Sequence, residues 1–302
     1  MHDYLRAYFD EFEYSAADRL VLSLAYEKIR ECKGAYVRLR AILEGYERDT
    51  LFISAEKEKE VDTIARTADV HPYTARLLTF ILLFKTMRER LLKLGLSKKV
   101  IFLTLSDLIW KLNECKMIHG VVGVEQFEWY TRFTALRIFA IGRLQFELKN
   151  YSYTENAVTV SSGTVKNGDP ILAVHKPRMG TPMEPKLCNA AYREARKLFT
   201  KLLGIPDIPF MCSSWLLYPK NREILEPGSN IVRFMDRYEI IDVVNHRKDK
   251  NSSSPFVFGV KMSMPVEELP ERTTLHRGYK AHLMEGGRMG FGVGIFFLEQ
   301  EK

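Results

Sequence analysis

The feature that most constrains the fold of this chain is a change in the spacing of its apolar residues near residues 120–140. Before that region, as in residues 16–32, apolar side chains recur at the intervals of an amphipathic helix. After it, as in residues 141–148, they alternate as they do in strands. The chain is therefore predicted to be an α+β protein with an all-helical N-terminal domain and a mixed α/β second domain, at residues 1–135 and 136–302.

The 302 residues suffice for two domains with real cores, since 46% of them are hydrophobic. Five or six helices are predicted in the first domain, with Ser97 capping one of them and Gly120 ending it. The second domain is predicted to open with a three-stranded antiparallel meander, residues 141–176, because Asn167-Gly168 is a strong hairpin signal. A helix follows from Pro182 to Gly204, where Thr181 and Glu184 fit a capping box. Further strands are expected at residues 208–219, 254–264 and 289–299.

The net charge of +7 raises the question of a nucleic-acid partner. The Lys and Arg residues form no basic block in either half of the chain. The densest charge run, EKEKE at residues 56–60, alternates in sign as solvated helix faces do. We therefore expect no nucleic-acid role, whereas a patch for an anionic small molecule agrees with the same charge. The oligomeric state is left open.

The remaining composition points to an ordinary soluble protein. The four cysteines have neither CxxC nor Cys/His spacing, so no metal site and no disulfide framework are expected. The longest apolar runs, at residues 76–84 and 100–105, are too short to cross a membrane, and the acidic, aromatic start does not resemble a targeting signal. No membrane role and a cytoplasmic location are therefore expected.

Two segments compete as phosphate-binding loops. Residues 286–294 contain five glycines but lead into a strand pattern, whereas phosphate loops usually open a helix. Alternate glycines within that strand favour close backbone packing instead. The second segment, RMGTP at residues 178–182, runs from a strand into the long helix, which is the better arrangement for binding a phosphate, although an ordinary connecting loop remains an alternative.

The order of elements after residue 140 resembles the core of the GNAT acetyltransferase fold. The residues that carry this resemblance are GRLQFEL at 142–148, VHKPRMGTPM at 174–183, CSSWLL at 212–217, SNIVRFMDRYEI at 229–240 and GGRMGFGVG at 286–294. More specifically, the chain resembles a bacterial family of two-domain acyltransferase-like proteins, with a helical domain before a GNAT-like mixed α/β domain. The resemblance implies an acyl-CoA-dependent N-acyltransferase that uses acetyl-CoA or another acyl-CoA and acts on a small-molecule or peptide amine.

The resemblance also implies where a site would lie. The CoA pyrophosphate would contact Arg178, Gly180, Thr181 and Met183, although Pro182 stands where the family loop has a second glycine. That departure keeps open the alternative of a non-catalytic binding or interaction module. The candidate catalytic residues are His175, Cys212 and Ser214. His175 is either a general base or a hydrogen-bonded structural residue, and Cys212 is either a nucleophile or a buried structural thiol.

Overall fold

The structure is a computed structural model and describes residues 2–154, 156–245, 254–261 and 263–298. The chain divides into two compact units between Ala140 and Ile141. The predicted fold class, a helical domain followed by a mixed domain, is confirmed. Among the described residues, no helix combines the length and the apolar composition needed to cross a bilayer.

The described part of the N-terminal unit forms eight helices, where the sequence predicted five or six. The count differs partly because the helix predicted after Ser97 is two helices that meet at Ser106. Ser97 caps the first of them and Gly120, in the left-handed conformation, ends the second, as predicted. The helices are α1 (His2–Glu11), α2 (Ala16–Glu31), α3 (Lys33–Arg48), α4 (Lys57–Thr67), α5 (Pro72–Lys93), α6 (Lys98–Leu105), α7 (Asp107–His119) and α8 (Phe127–Thr134).

Helix α5 forms the centre of this unit. Eleven consecutive residues, 74–84, are buried, so the helix is covered on all sides, as expected for a helix that is apolar around its whole circumference. Its Phe80 and Phe84 contact the ring of Tyr130 on α8, with centroids 4.8 and 6.3 Å apart. Aromatic contacts of this kind add to the free energy gained by burying apolar area.

The second unit is built on a six-stranded sheet with the order β1-β2-β5-β6-β8-β7. The strands are β1 (Ile138–Ile141), β2 (Leu144–Asn150), β3 (Val158–Val160), β4 (Gly163–Val165), β5 (Pro170–His175), β6 (Phe210–Ser214), β7 (Glu239–Asn245) and β8 (Gly290–Phe296). The helices are α9 (Pro185–Leu203), α10 (Asn221–Ile224), α11 (Asn230–Met235), α12 (Ser254–Val257) and α13 (Thr274–Met284), with 3-10 turns at Trp215–Leu217 and Val266–Glu268.

The predicted three-stranded meander is wrong in its middle strand. β2 pairs with β5, whereas β3 and β4 form a separate two-stranded hairpin. The Asn167-Gly168 turn does form, with the N–H of Asp169 donating to the carbonyl of Lys166 at 3.0 Å. It joins strands of different sheets, so a strong turn signal in the sequence did not identify the pairing partner.

The strand predicted at residues 254–264 is also wrong, since its described residues contain the short helix α12 and no strand. Gly259 there has a φ of +70°, which is incompatible with an extended segment. The edge strand is instead β7, which the sequence analysis missed. Its side chains are mostly exposed or half-buried, so it lacks the apolar alternation by which strands are recognised.

Helix α9 covers one face of the sheet. Its buried side chains recur at three- and four-residue spacing, and Gly204 ends it as predicted. Tyr192 lies at its centre and packs edge-on against Phe146, Phe210 and Phe296, with ring centroids 5.1 to 5.8 Å apart. This aromatic cluster fixes the helix over β2, β6 and β8.

Candidate active site

The sheet opens at the carboxyl ends of its two parallel strands. β5 and β6 pair at only two positions, the last of which joins Ala173 to Met211. Beyond it, β5 continues to His175 and pairs with β2, while β6 continues to Ser214 and pairs with β8. The two strands therefore diverge, and the space between residues 174–175 and 212–214 is called the opening below.

Two backbone groups face the opening. The N–H of Leu172 donates to the carbonyl of Pro209 at 2.9 Å, which shows that this residue's peptide groups point toward β6. Because peptide groups alternate along a strand, those of Val174 point the same way, and those of Ser213 point toward β5. The carbonyl of Val174 and the N–H of Ser213 would form the next rung of a regular ladder. Since pairing ends one rung earlier, they line the opening.

A buried carboxylate and a histidine lie on the adjacent strands, on the sheet face opposite α9. His175 Nε2 lies 3.0 Å from Glu147 Oε2, within hydrogen-bond distance. The Glu147 side chain is only 3% exposed, whereas that of His175 is 28% exposed. A ring that donates from Nε2 to the carboxylate carries its basic lone pair on Nδ1. This pair has the arrangement of a histidine base oriented by a carboxylate.

The other two candidate catalytic side chains have structural surroundings. Cys212 is 2% exposed, and burial raises the pKa of its thiol to about 12, so the thiol stays protonated at neutral pH. This argues against the nucleophile alternative for Cys212. The hydroxyl of Ser214 accepts from the N–H of Leu216 at 3.2 Å and caps the 3-10 turn. Across the opening, Lys176 Nζ lies 5.8 Å from the ring centroid of Trp215.

The different environments of the cysteines give a first prediction. Iodoacetamide at neutral pH is expected to modify the partly exposed Cys32 and to leave Cys212 unmodified in the folded protein. Mass spectrometry of tryptic peptides measures both sites, and labelling in denaturant shows that both can react. Rapid alkylation of Cys212 in the native protein, accompanied by loss of activity, would restore the nucleophile alternative.

The loop after β5, residues 176–184, differs from the prediction in where it ends. Helix α9 begins at Pro185 and not at Pro182, and its N-cap is Glu184, whose side chain makes no capping bond. The predicted cap at Thr181 and the predicted capping box are therefore wrong. Proline disfavours helical conformation in the residue before it, and Glu184 accordingly has a ψ of 136°.

The predicted phosphate-binding residues lie together on this loop. Gly180 has a φ of +77° with open space around it, and Thr181 is exposed. Met183 is buried, with 7% of its surface exposed. The guanidinium of Arg178 donates to the carbonyls of Pro255 and of Phe256, the latter at 2.8 Å. Arg178 thus ties the loop to the α12 segment.

A residue that the sequence analysis missed holds the loop from its inner side. Arg143, in the β1–β2 turn, donates to the carbonyls of Pro177, Thr181 and Pro182 at 3.0 to 3.1 Å. It is 5% exposed, and burial lowers the pKa of its guanidinium. No sequence motif marks this residue, because the loop that it contacts lies more than thirty residues away along the chain.

The start of α9 adds N–H groups beside the loop. The N–H of Cys188 is bonded to the carbonyl of Glu184 at 3.0 Å, and Pro185 has no N–H. The N–H groups of Lys186 and Leu187 precede the first helical bond and have no acceptor within the helix. The first turn of this 19-residue helix contains Lys186 and no acidic residue, and the acidic side chain nearest its positive dipole end is that of the N-cap, Glu184.

The glycine-rich segment is packed as a strand, as predicted. A Cβ added to Gly292 would lie 2.3 Å from the carbonyl oxygen of Leu217, and one added to Gly290 would lie 2.6 Å from that of Val244. Glycine is therefore required by neighbouring backbone at both positions. That no phosphate binds to residues 286–294 stays a prediction.

The geometry described above agrees with the comparison to known families. The sequence profile described as "GNAT-like C-terminal domain" matches residues 138–296, more than half of the chain. The chain belongs to the GNAT-like family. A second profile, described as "N-acyltransferase N-terminal domain", matches residues 3–136 of this GNAT-like protein. No functionally curated protein matches the chain.

Solved structures with the same fold cover both units of the GNAT-like protein. An acyltransferase mutant in complex with octanoyl-CoA is 21% identical, with a TM-score of 0.79. An acyltransferase in complex with decanoyl-CoA and teicoplanin is 22% identical, with a TM-score of 0.76. Each comparison covers 97% of this chain and 87% of the other. At this identity the similarity establishes a shared fold.

Proposed function

We propose that this protein is an acyl-CoA-dependent N-acyltransferase that acts on the amine of a small molecule or peptide. The observation that carries the proposal is the opening between β5 and β6, because β5 leads from it directly into the loop at residues 176–184 and the start of α9. Membership of the GNAT-like family supports it, as do the similar solved structures described as acyltransferases bound to acyl-CoA.

The donor fits the site in two parts. The pyrophosphate of CoA would lie against the loop, taking hydrogen bonds from backbone N–H groups of Gly180, Thr181 and Met183, with Arg178 and the start of α9 supplying positive charge. The pantetheine arm would enter the opening, where β5 and β6 no longer pair with each other. Pro182 has no N–H to donate, so the contacts would come from its neighbours in the loop and from the start of α9, which begins three residues later.

The chemistry assigns one task to each neighbouring group. His175 would accept the proton that the amine loses as its nitrogen attacks the acyl carbon, and Glu147 would hold the ring in place. The N–H of Ser213 would donate to the acyl oxygen as negative charge develops there. The new C–N bond replaces the C–S bond, and the protonated His175 would give its proton to the departing sulfur, so CoA would leave as a thiol without an external acid. No step requires a thiolate at Cys212.

The acceptor is proposed only as a class. One of the similar solved structures is described with teicoplanin, a glycopeptide, and that description agrees with a peptide-like amine acceptor here. The length of the acyl chain is left open between acetyl and longer chains, and the similar solved structures are described with octanoyl and decanoyl chains. Acetyl, octanoyl and decanoyl thioesters therefore form the natural series of donors.

Calorimetry and a thiol assay together test this function. At least one of acetyl-, octanoyl- and decanoyl-CoA is expected to bind with a stoichiometry of one, and added amines or glycopeptides are expected to accelerate release of free CoA thiol. Binding without release for any acceptor would favour the non-catalytic module. Absence of binding for all three donors would contradict both the proposed activity and the proposed site.

A further inference from the structure

We propose that Arg143 is a positioning residue for the CoA-binding loop, which it shapes from beneath so that the loop can bind the pyrophosphate. This inference rests on the proposed function. Arg143 directly precedes β2 and follows Gly142, whose φ is +57°. A Cβ added to Gly142 would lie 3.3 Å from the Cβ of Ala191, so the turn lies close to α9. Arg143 is thereby fixed between the sheet and the start of the helix.

The hydrogen bonds of Arg143 determine the direction of the loop's peptide groups. Its Nη1 donates to the carbonyl of Pro177, and its Nε is shared between the carbonyls of Thr181 and Pro182. In a trans peptide the C=O and the following N–H point in opposite directions, and the described residues contain no cis peptide bond. The N–H groups of Arg178 and Met183 must therefore point away from Arg143. N–H groups that point outward in this way can donate hydrogen bonds to an anion.

The charge of Arg143 is a second reason to expect an anion at this loop. A buried guanidinium is normally paired with a carboxylate, because burying an unpaired charge is costly. Within the described ranges, no carboxylate ion-pairs with Arg143, and its hydrogen bonds go to neutral carbonyls. Its positive charge is therefore not cancelled by a neighbouring acid. An anion on the outer side of the loop would provide the missing compensation.

Two variants distinguish the effect of Arg143 on the shape of the loop from the effect of its positive charge. Arg143→Met removes both, whereas Arg143→Lys keeps the charge and cannot make the same three bonds from one planar group. If Arg143 acts by shaping the loop, both variants are expected to bind octanoyl-CoA roughly one to two decades more weakly. The reason is that the contacts from the N–H groups of Arg178 and Met183 to the pyrophosphate would be lost or misdirected. Circular dichroism and thermal melting check folding. The matched control is Arg222→Lys, an exposed arginine paired with Asp236, which should bind like the parent.

A substrate without the pyrophosphate distinguishes positioning from a general structural defect. Arg143→Lys should turn over octanoyl-pantetheine with the parent's kcat/KM while its KM for octanoyl-CoA rises. Equal losses with both donors, or unchanged CoA affinity in a folded variant, would overturn the role of Arg143. If the parent transfers from octanoyl-pantetheine but binds no CoA, this inference fails and transferase activity survives.

A measurement on the parent protein avoids dependence on the folding of a variant. CoA is expected to slow amide hydrogen exchange at Arg178 and Met183, the two N–H groups that Arg143 turns outward. Protection confined to other segments, in a parent that binds CoA, would show that the pyrophosphate does not use this loop and would refute the inference.

Discussion

Replacement of His175 by Ala is expected to lower kcat for acyl transfer by about 10²- to 10⁴-fold, the range that a positioned general base contributes. The KM for acyl-CoA should change little, because His175 lies on the opposite sheet face from α9, with its ring 3.0 Å from Glu147. Steady-state kinetics with varied donor measures the two constants separately. Glu147→Gln should give a smaller decrease in kcat, because the imidazole base would remain while an amide replaces the carboxyl group that orients it.

Two controls make this result specific. Added imidazole should partly restore the rate of His175→Ala, because the His175 side chain is 28% exposed and its removal leaves a space open to solvent. His282→Ala removes a histidine from α13 in the same unit and should leave kcat unchanged. A His175→Ala protein with the parent's kcat would show that the Glu147–His175 pair is structural, which is the other alternative that the sequence left open.

Replacement of Gly292 by Val should destabilise the second unit by about 3 kcal/mol, at the upper end of the range for overpacked cores. The new Cβ would lie 2.3 Å from the carbonyl oxygen of Leu217, and a backbone atom cannot turn aside as a flexible side chain can. For a unit of this size, the loss corresponds to a decrease in Tm of about 6–12 °C. Thermal unfolding followed by circular dichroism measures it.

The matched control is Gly228→Ala in the same unit. Its added Cβ would meet only Arg233 Nη2, at 3.9 Å, and its φ lies outside the left-handed region, so Tm should stay close to that of the parent. The folded fraction of Gly292→Val should keep the parent's affinity for acyl-CoA. A selective loss of that affinity with unchanged Tm would assign the phosphate to residues 286–294 after all.

Much of the architecture was predictable because local patterns determine it. The helical first half, the capping of α6 by Ser97 and the end of α9 at Gly204 follow from spacing and from residues with strong local preferences. The close packing of Gly290 and Gly292 was predictable for the same reason, since alternate glycines leave one strand face without side chains.

The errors arise where distant parts of the chain meet. The Asn167-Gly168 turn was recognised, but β5 pairs with β2 and not with the strand next to it in sequence. The start of α9 was predicted three residues early from the Thr181 capping pattern, whereas Pro185 keeps Glu184 out of the helical conformation. β7 was missed because an exposed edge strand carries little apolar alternation.

The candidate site was only partly predictable. His175 and the loop at residues 178–183 follow from their places at the end of a strand and before a helix. Glu147 could have been noticed, because an acidic residue in the middle of a strand with apolar neighbours needs a partner when it is buried. Arg143 gave no such signal, since its role depends on three backbone carbonyls that only the folded chain brings together.

A crystal structure with a non-hydrolysable decanoyl-CoA analogue would show whether acyl-CoA binds in the opening between β5 and β6. We expect the pantetheine arm to lie between residues 174–175 and 212–214, with the pyrophosphate against the loop at residues 176–184. An analogue bound with its pyrophosphate at residues 286–294, or with its pantetheine arm outside the opening, would contradict it.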